Sequence, residues 1–565
     1  MNFDRSVDVL IVGSGAGGLV AALRAAEGGA DVLVIEKGSL WGGTSATSGG
    51  GIWIPGSSLA AAAGQPDDLD DAFGYIRALT SDNVPDSQIR AYVDNAHVML
   101  DWVERVAHTG YQALPYPDYY PETAGAREGF RTHLIGDSMH ASDMEDASFA
   151  TMQSASPAAS LWGRINWKLD ETYLALFRPK GWMKQMGKVM LGYWLDFPHR
   201  LKSPRDRRLT LGTKLLGSLR KALDKHKVPV WLETPLVSLI DHGGEVAGAV
   251  VMHEGREMRI GATKGVILAA GGFERNPDLR RDNLHGSLDL AHASGSQENN
   301  TGDALVAARE LGAATRNLDA AWWAPTFRIP GEDRSRLSTT ERALPYSIVV
   351  DQSGRRYVNE ALAYHRFGEV MLESVRNPDL PKRDPSWFVF DSRYRDRYPA
   401  GPIIPGMPDA LLTGTIKQVL LKADSTRELA EMMQVPVDVF EATVDRFNTM
   451  AEAGKDDDFG RGNAAYDRLY GDPRVTPNAT LGSVAEGPFY AIPLHLGDIG
   501  TSGGLVTDDR GRVMRDDGSR IGGLYAIGNL AASVMGYSYP GAGSTLGPAM
   551  TFGYLAAGDA VGINS

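Results

Sequence analysis

The sequence predicts an α/β fold in which a parallel-sheet domain is built from both ends of the chain and carries an inserted α+β domain. Three observations support this prediction. A buried strand, a glycine turn and a helix follow one another near the N-terminus, apolar strands that end in glycine recur at 265–272 and 523–528, and an apolar helix closes the chain. Because these segments share one pattern, we expect them to form one discontinuous domain.

The first motif has the layout of a Rossmann-like dinucleotide site. The apolar run 7–12 leads into a glycine-rich turn, which contains Gly13, Gly15, Ala16, Gly17 and Gly18. In this layout Gly13 makes the turn, Gly15 lets the backbone approach a pyrophosphate, and Gly18 lets the helix pack on the strand. The N-terminal dipole of the helix then stabilises the phosphates. A GxGxxG motif alone is weak evidence, but here strand, turn and helix occur together.

The next segment favours a flavin. A second apolar run ends in Glu36, near the offset of about 20 residues at which an acid reaches a ribose hydroxyl, and this favours FAD or NAD. A second glycine-rich loop follows, with room for a flat ring, and its candidate contacts are Gly42, Gly43, Thr44, Ser45, Gly49 and Gly50. Further candidate contacts with the cofactor are Lys37, Ala270, Gly271, Gly272, Asp303, Gly528, Asn529 and Leu546.

Composition excludes several other functions. The 565 residues contain 57 Lys and Arg against 70 Asp and Glu, so no overall basic field favours nucleic acid. The absence of Cys excludes disulfides, thiolate metal sites and cysteine nucleophiles, and we predict no metal site. The N-terminus lacks a signal-peptide pattern, and no apolar run approaches the ~18 residues of a spanning helix. We therefore expect a cytoplasmic protein whose membrane contact, if present, is peripheral.

The middle of the chain predicts the inserted domain. An aromatic run at Trp322 and Trp323, a strand at 346–351 and a helical pattern at 369–376 form an α+β unit. We therefore divide the chain into a first FAD-binding part at 1–320, a substrate domain at 321–490 and a last FAD-binding part at 491–565. A substrate would bind at the interface between domains, where pockets commonly form.

These motifs, together with Thr301-Gly-Asp303 and Thr501-Ser-Gly-Gly504, resemble the succinate dehydrogenase and fumarate reductase flavoprotein superfamily. Three stretches are similar to the 3-ketosteroid delta-1-dehydrogenases within it. They are Pro117-Asp-Tyr-Tyr120, the run 356–364 that ends in Tyr364, and Tyr539-Pro-Gly-Ala-Gly543. The resemblance covers nearly the whole chain except about 155–208. The tyrosine set is much more specific than the superfamily motifs.

The resemblance implies a role for each catalytic candidate. The Tyr539 hydroxyl and the Gly543 N–H would hold a substrate carbonyl, and Tyr364 would take a proton from carbon 2. Tyr119 would hydrogen-bond Tyr364, with the neighbouring Tyr116 and Tyr120 as competitors for that position. Flavin N5 would accept hydride from carbon 1. A neutral base and an oxyanion site suit an apolar ketone, because a hydrophobic pocket tends to protonate an unpaired carboxylate.

Two departures from the fumarate reductase pattern refine the prediction. No His lies beside the Gly42 to Ser45 loop, where flavin-linking members carry one, so we expect noncovalent FAD. No His-Thr pair accompanies Thr501-Ser-Gly-Gly504, so a dicarboxylate substrate is disfavoured. The predicted function is 1,2-desaturation of apolar 3-ketosteroids, including sterol-like ketones such as cholest-4-en-3-one, with electrons passing to an unidentified acceptor such as a quinone. The alternatives are a delta-4 (5-alpha) dehydrogenase, a fumarate- or urocanate-type reductase, and a non-catalytic flavoprotein subunit of a membrane complex.

The segment 157–208 differs in composition from the rest of the chain. Between positions 160 and 208 there are eleven Lys or Arg and four acidic residues, and four of the protein's tryptophans, including Trp162, lie in the same stretch. An apolar stripe at helical spacing contains Trp182, Met186, Val189, Met190, Tyr193, Trp194 and Phe197. Aromatic and basic residues together suit a lipid headgroup layer, so we predict peripheral contact with the inner face of the cell membrane. The alternative is a helix packed on its own domain or on another subunit.

Overall fold

The structure is a computed structural model that describes all residues except 1, 81, 83, 157–159, 162, 285–289, 291–295 and 564–565. Its main sheet has eight strands. Four of them run parallel, in the order Val230–Trp231, Val32–Ile35, Arg5–Val12 and Arg256–Leu268. A fifth strand, Arg520–Ala526, pairs in parallel with the end of Arg256–Leu268. Three antiparallel strands complete the sheet: Leu236–His242, Glu245–His253 and Arg512–Met514. The predicted α/β fold is confirmed, with both ends of the chain in one sheet.

Two helices from opposite ends of the chain pack closely beside this sheet. The first is Ala16–Glu27 and the last is Leu546–Val561. A Cβ added at Gly17 would lie 2.7 Å from the carbonyl oxygen of Ala549, and one added at Gly553 would lie 2.6 Å from that of Gly17. The close approach of the two helices therefore requires glycine at both positions.

The inserted domain is built on a second, antiparallel sheet. Its strands are Arg336–Leu337, Ala321–Phe327, Phe489–Thr501, Ser386–Phe390 and Ser347–Val350, in this order, and Leu421–Ala423 also pairs with Phe489–Thr501. Its helices are Tyr364–Arg376, Ser392–Arg397, Gly414–Lys417, Thr426–Met433, Val437–Ala453 and Ala465–Leu469. The helix predicted at 369–376 thus begins earlier, at Tyr364.

The predicted domain boundary at 490 requires a correction. It falls inside the strand Phe489–Thr501, whose residues 490–494 pair with Ser386–Phe390 and whose residues 495–501 pair with Ala321–Phe327. One continuous strand therefore links both halves of the second sheet, and the inserted unit extends to Thr501.

Smaller elements complete the fold. The short strands are Ile52–Trp53, Tyr111–Ala113, Thr132–Ile135, Met139–His140, Ser160–Leu161, Ile165–Asn166, Arg208–Leu209, Thr315–Arg316 and Gly504–Leu505. The remaining helices are Gly43–Thr47, Ser58–Ala62, Leu69–Leu79, Asp86–Ala107, Asp146–Ala150, Leu169–Phe177, Trp182–Leu195, Phe197–Arg200, Leu211–Lys225, Pro277–Asn283 and Asp303–Glu310. None of the helices in the described part of the chain combines the length and apolar character needed to cross a bilayer.

A buried ionic network supports the segment that leads to Tyr364. The Arg356 guanidinium lies 2.7 Å from Glu360 and 2.8 Å from Asp456, and Arg461 lies 3.3 Å from Glu360. All four side chains are almost fully buried. Burial raises the pKa of the Glu360 carboxyl, but the two guanidinium groups outweigh this effect and hold it below its ordinary value.

We expect Glu360→Gln to lower the stability of the protein by about 3 kcal/mol at neutral pH, because two buried arginines lose their shared charge partner. Thermal unfolding measures the change. Glu441→Gln is the matched control, since Glu441 pairs with Arg427 at the surface and such pairs contribute about 0–1 kcal/mol. The difference between wild type and Glu360→Gln should shrink as the pH falls below 4.5, the ordinary pKa of the group, because protonation removes the same charge. Equal effects of the two substitutions would contradict the prediction.

Candidate active site

The glycine turn after the first strand leaves open backbone at the start of a helix. Gly13 has φ +109°, and a Cβ there would lie 2.4 Å from the Ala269 carbonyl oxygen, so the turn requires glycine. At Gly15 the nearest atom to an added Cβ is the Ser45 hydroxyl, at 3.4 Å. The Ala16 N–H, the first of the helix, donates to that hydroxyl at 3.1 Å. This arrangement places the positive end of a helix dipole beside both glycine-rich loops.

Glu36 links the same two loops. Its carboxylate accepts from the Ser14 N–H at 3.1 Å and the Ser14 hydroxyl at 2.5 Å, and from the Gly38 N–H at 2.9 Å. The Ser14 hydroxyl in turn accepts from the Gly42 N–H at 2.9 Å. Lys37 points to a different partner, since its ammonium lies 2.7 Å from the Asp303 carboxylate. Lys37 and Asp303 thus pair with each other, and their contact with a cofactor remains a prediction.

A second group of residues lies at Ala270, just beyond the end of the strand Arg256–Leu268. Gly271 has φ +80°, and a Cβ on it would lie 2.9 Å from the side chain of Asn300. Asn300 donates to the Thr44 hydroxyl at 3.2 Å and to the Glu274 carboxylate at 2.7 Å. Sequence reasoning did not select Asn300 or Glu274, although Asn300 directly precedes the Thr301-Gly-Asp303 motif. Burial and the nearby Asp498 raise the pKa of the Glu274 carboxyl.

A cleft lies beside the segments near the end of the chain. Its lining includes Gly528, Asn529, Ser544, Thr545 and Trp322. Leu546 begins the last helix beside it. A Cβ added at Gly43 or at Gly49 would meet no atom within 4 Å, whereas Gly50 with φ +68° closely approaches Leu211 and Gly212.

The donor set therefore fits a dinucleotide with a flat ring. It provides N–H groups at a helix start, an acid at the end of the second strand, and glycines that open onto free space. These are the features that bind the pyrophosphate, the ribose and the ring of FAD.

Three buried tyrosines from distant parts of the chain meet beside this cleft. The ring centroids of Tyr119 and Tyr364 are 5.6 Å apart, those of Tyr364 and Tyr539 are 5.6 Å apart, and those of Tyr119 and Tyr539 are 5.8 Å apart. Tyr539 also packs edge-on against Trp322 at 5.1 Å. The tyrosines come from a loop, from the start of the helix Tyr364–Arg376 and from the loop before the last helix, so only the fold brings them together.

The two alternatives to Tyr119 have other partners. The Tyr116 hydroxyl hydrogen-bonds that of Tyr470 at 2.7 Å, and the ring of Tyr120 lies under the Arg366 guanidinium at 4.8 Å. Of the three candidates, Tyr119 is the one whose ring contacts both Tyr364 and Tyr539. Sequence reasoning missed Tyr466, whose ring lies 5.0 Å from that of Tyr119.

The site raises the pKa of every tyrosine in it, mainly through burial. Burial and the neighbouring Tyr539 raise the pKa of Tyr364 well above its usual value, and the nearby Tyr119 hydroxyl opposes the rise. Burial also raises the pKa of Tyr539, and this rise is opposed by the Thr545 hydroxyl, by Tyr364, and by the backbone of Gly543 and Thr545. The Thr545 hydroxyl donates to the Tyr539 oxygen at 3.1 Å, and this bond favours negative charge at that position.

The loop that carries Gly543 is held from several sides. The Pro540 carbonyl accepts from the Tyr119 N–H and from the Tyr75 hydroxyl, both at 2.8 Å. The Ala542 carbonyl accepts from Thr132 at 3.1 Å. These bonds join the loops that bear Tyr119 and Tyr539, which fixes the distance between the two rings.

Comparison with known proteins agrees with this geometry. The FAD binding domain family matches residues 8–546. The chain is 39% identical to the 3-oxosteroid 1-dehydrogenase of Mycobacterium tuberculosis strain H37Rv, over 98% of each protein. It is 40% identical to the crystal structure of 3-ketosteroid delta1-dehydrogenase from Sterolibacterium denitrificans in complex with 1,4-androstadiene-3,17-dione, with a TM-score of 0.92 over 99% of this chain and 100% of that chain.

A more distant structure shares the fold. The 3-ketosteroid-delta4-(5alpha)-dehydrogenase from Rhodococcus jostii RHA1, in complex with 4-androstene-3,17-dione, is 20% identical to this chain. Its TM-score is 0.64, over 99% of this chain and 98% of that chain. At this level of identity the likeness concerns the fold alone.

We expect Gly543→Ala to destabilise the site far more than a comparable substitution elsewhere. Gly543 has φ +100°, and its Cβ would lie 2.4 Å from the backbone of Ile52. Gly518→Ala is the matched control, because Gly518 has φ +80° with no atom within 4 Å, so it isolates the backbone cost of about 1–2 kcal/mol. Thermal unfolding and flavin absorbance measure both variants. Equal loss in the two variants would show that the contact with Ile52 is unimportant.

Proposed function

The chain belongs to the FAD-binding family of the 3-oxosteroid 1-dehydrogenases, and from this premise we propose that it removes hydrogen from carbons 1 and 2 of 3-oxosteroids. The cofactor is FAD, and we propose that it is held noncovalently. The observation that carries the proposed activity is the contact among Tyr119, Tyr364 and Tyr539 beside the cleft of the cofactor-binding domain.

We propose that Tyr539 and Gly543 bind the substrate ketone. The Tyr539 hydroxyl and the Gly543 N–H would donate to its oxygen, and they would stabilise the negative charge that develops there when carbon 2 loses a proton. A donor in such a position contributes about 3 kcal/mol to the transition state. Gly543 precedes the last helix, so its N–H lies near a positive helix end.

We propose Tyr364 as the base. It is the first residue of the helix Tyr364–Arg376, and the positive end of this helix favours negative charge on the nearby side chain. Tyr119 lies against its ring and would share the charge through a hydrogen bond. FAD, when bound, supplies the acceptor for the hydride that leaves carbon 1. The tyrosines exclude water and move the proton.

The glycine-rich loops and their partners would hold the cofactor. The pyrophosphate would face the first glycine turn, which contains Gly13, Gly15, Ala16, Gly17 and Gly18. The ribose would face Glu36. The other residues proposed to line the site are Lys37, Gly42, Gly43, Thr44, Ser45, Gly49, Gly50, Ala270, Gly271, Gly272, Asp303, Gly528, Asn529 and Leu546. Asn300 joins this group because it binds Thr44.

Androst-4-ene-3,17-dione with an artificial electron acceptor tests the activity. The expected product has lost two hydrogens from carbons 1 and 2, as identified by mass spectrometry and NMR. A delta-4 dehydrogenase could not introduce the double bond that this substrate already contains, so a saturated 3-oxosteroid distinguishes that alternative. Absence of turnover with both ketones, together with reduction of an anionic enoate, would favour a fumarate-type reductase. Absence of any turnover, with co-purifying subunits, would favour a non-catalytic role.

We expect Tyr364→Phe to lower kcat at least about a hundredfold while FAD and ketone binding persist, because a base acts in the transition state. Tyr539→Phe should lower kcat and weaken ketone binding together, since its hydroxyl would contact the ketone in both states. Steady-state kinetics and ketone-induced changes in flavin absorbance measure both effects. Tyr490→Phe is the control, because its hydroxyl lies at Asp409 in the second sheet. A near-normal rate for Tyr364→Phe would exclude it as the base.

The segment 157–208 supports a second proposal, which concerns where the substrate is taken up. Positions 157–159 and Trp162 lie outside the described residues. In the rest of the segment, Met183, Leu191, Trp194 and Leu195 on the helix Trp182–Leu195 are 71%, 57%, 57% and 70% exposed. Phe197 and Leu201 continue this surface and are also exposed. An exposed apolar patch of this kind marks an interaction site.

The exposed face differs from the stripe that the sequence predicts. Tyr193 is buried and donates to the Pro204 carbonyl at 2.7 Å, and Trp182, Met186, Val189 and Met190 are half-buried. Of the predicted stripe, only Trp194 and Phe197 face outwards, because its other side chains pack within the segment. The helix has apolar side chains on both its buried and its exposed face, and their spacing in the sequence does not show which face is buried.

The charges around this face favour a lipid surface as its partner. The acidic residues Asp196 and Glu171 pair with Arg207 and Arg208 within the segment. The exposed lysines Lys180, Lys184, Lys188 and Lys202 form no ion pair with any described residue. Apolar side chains beside free ammonium groups suit an anionic bilayer, and we propose that the segment docks there and admits apolar ketosteroids.

We expect Leu191→Ser, Trp194→Ser and Leu195→Ser together to release the protein from anionic liposomes. Replacing Lys184 and Lys188 should weaken binding in a salt-dependent manner, with each Lys contributing about 1 kcal/mol near the surface. Sedimentation measures binding, and turnover of cholest-4-en-3-one should fall more than turnover of androst-4-ene-3,17-dione. Leu411→Ser with Met432→Ser is the control, because these exposed apolar residues lie outside the segment. A wild-type protein that never sediments with liposomes would contradict the proposal.

A further inference from the structure

A chain of tyrosines leads away from the catalytic cluster. The ring of Tyr466 lies 5.0 Å from that of Tyr119, 6.0 Å from that of Tyr116 and 6.3 Å from that of Tyr470. The Tyr116 and Tyr470 hydroxyls are 2.7 Å apart. Tyr119 and Tyr466 are 1% and 3% exposed, whereas Tyr116 and Tyr470 are only half-buried. This tyrosine chain therefore runs from the buried site to a partly exposed pair.

The hydroxyl groups of the tyrosine chain influence one another. Burial raises the pKa of Tyr466, and the neighbouring hydroxyls of Tyr116 and Tyr119 oppose this rise. Burial also raises the pKa of Tyr470, and the Tyr116 hydroxyl opposes that rise in turn. The Tyr119 hydroxyl is buried and forms no hydrogen bond of normal geometry with a described residue. Its oxygen is thus able to accept one when a neighbouring hydroxyl turns towards it.

A buried cation lies beside the tyrosine chain. The Arg342 guanidinium donates to the carbonyls of Ser338, Glu360 and Leu362, and it favours the ionised forms of Tyr466 and Tyr470. Burial lowers the pKa of Arg342 to about 10, so it stays charged at neutral pH. Two acids, Glu341 beside Tyr470 and Asp467 beside Tyr466, act in the opposite direction. Arg342 therefore offsets part of the cost of transient negative charge on these rings.

The reaction proposed above needs an exit for a proton. Each turnover places one proton from carbon 2 on Tyr364, and the next turnover requires Tyr364 to have lost it. Tyr364 is buried among Tyr119 and Tyr539, and a bound steroid would cover the cleft on the remaining side. Direct release to water from this position is therefore hindered while ligand is bound.

We propose that Tyr119, Tyr466, Tyr116 and Tyr470 carry this proton from Tyr364 to solvent. Each hydroxyl would form an O–H bond with the incoming proton and break its own O–H bond towards the next tyrosine, with water accepting the last proton. The electron pair leaves carbon 1 with the hydride, which FAD accepts, so the tyrosine chain transfers a proton and no electrons. The inference rests on the proposed desaturase activity. In this route Tyr466, Tyr116 and Tyr470 act through Tyr119 and Tyr364 and need no contact with the substrate.

The double variant Tyr116→Phe with Tyr470→Phe tests the proposal, because it removes two hydroxyls and keeps both rings. We expect kcat for androst-4-ene-3,17-dione to fall about tenfold or more, with KM little changed and a larger solvent isotope effect. Added imidazole, a small proton acceptor, should restore part of the rate. Tyr357→Phe is the matched control, since its hydroxyl hydrogen-bonds Ser386 at 2.7 Å and lies outside the tyrosine chain.

The outcomes separate this inference from the proposed function. A wild-type protein that does not desaturate the ketone would overturn the desaturase activity, and the proton route with it. If the wild type desaturates the ketone and the double variant keeps full kcat and an unchanged solvent isotope effect, the proton route alone is overturned. A loss of rate that imidazole does not restore, or that Tyr357→Phe reproduces, would show that the hydroxyls serve packing and would also overturn it.

Discussion

The close packing of the first helix on the last is the constraint on which the rest of the structure depends. Gly17 and Gly553 allow the backbones of Ala16–Glu27 and Leu546–Val561 to touch, so the two ends of the chain form one cofactor domain. The same packing brings the loop before the last helix against Ile52, where only a glycine fits at position 543. Tyr539 is thereby held beside the cleft that Trp322, Gly528 and Thr545 line. A change in helix spacing would therefore disturb both the cofactor and the proposed substrate contacts.

The cluster of Tyr119, Tyr364 and Tyr539 buries phenol groups and no carboxylate, and this determines the chemistry of the site. Every phenol in the cluster has its pKa raised by burial, so the tyrosines are neutral in the resting protein. A neutral pocket suits an apolar ketone, but a base must then be ionised at some stage of the reaction. The positive helix end near Tyr364 and the buried Arg342 beside Tyr466 both offset that cost. Under the proposed mechanism, the charges that would assist the reaction lie beside the tyrosines.

The two domains differ in how they are stabilised. The cofactor domain depends on backbone contacts at glycines, whereas the segment that leads to Tyr364 is held by charges among Arg356, Glu360, Asp456 and Arg461. Because Glu360 precedes Tyr364 by four residues, the buried network also limits the movement of the proposed base. Stability and positioning of this residue are therefore coupled. The described part of the segment 157–208, by contrast, leaves apolar side chains exposed.

The sequence by itself determined the α/β fold, the discontinuous cofactor domain and the local motifs, because turns, strands and helix starts depend on neighbouring residues. The strand, turn and helix around Gly13 are an example, since φ and backbone contact restrict the residue type there. Family resemblance selected Tyr119, Tyr364, Tyr539 and Gly543. Only the tertiary structure placed Tyr466 beside Tyr119, Arg342 beside Tyr466 and Asn300 beside Thr44, because contacts between distant segments leave no periodic pattern. It also decided which face of Trp182–Leu195 meets solvent and showed that the strand Phe489–Thr501 continues past position 490, since packing partners decide both.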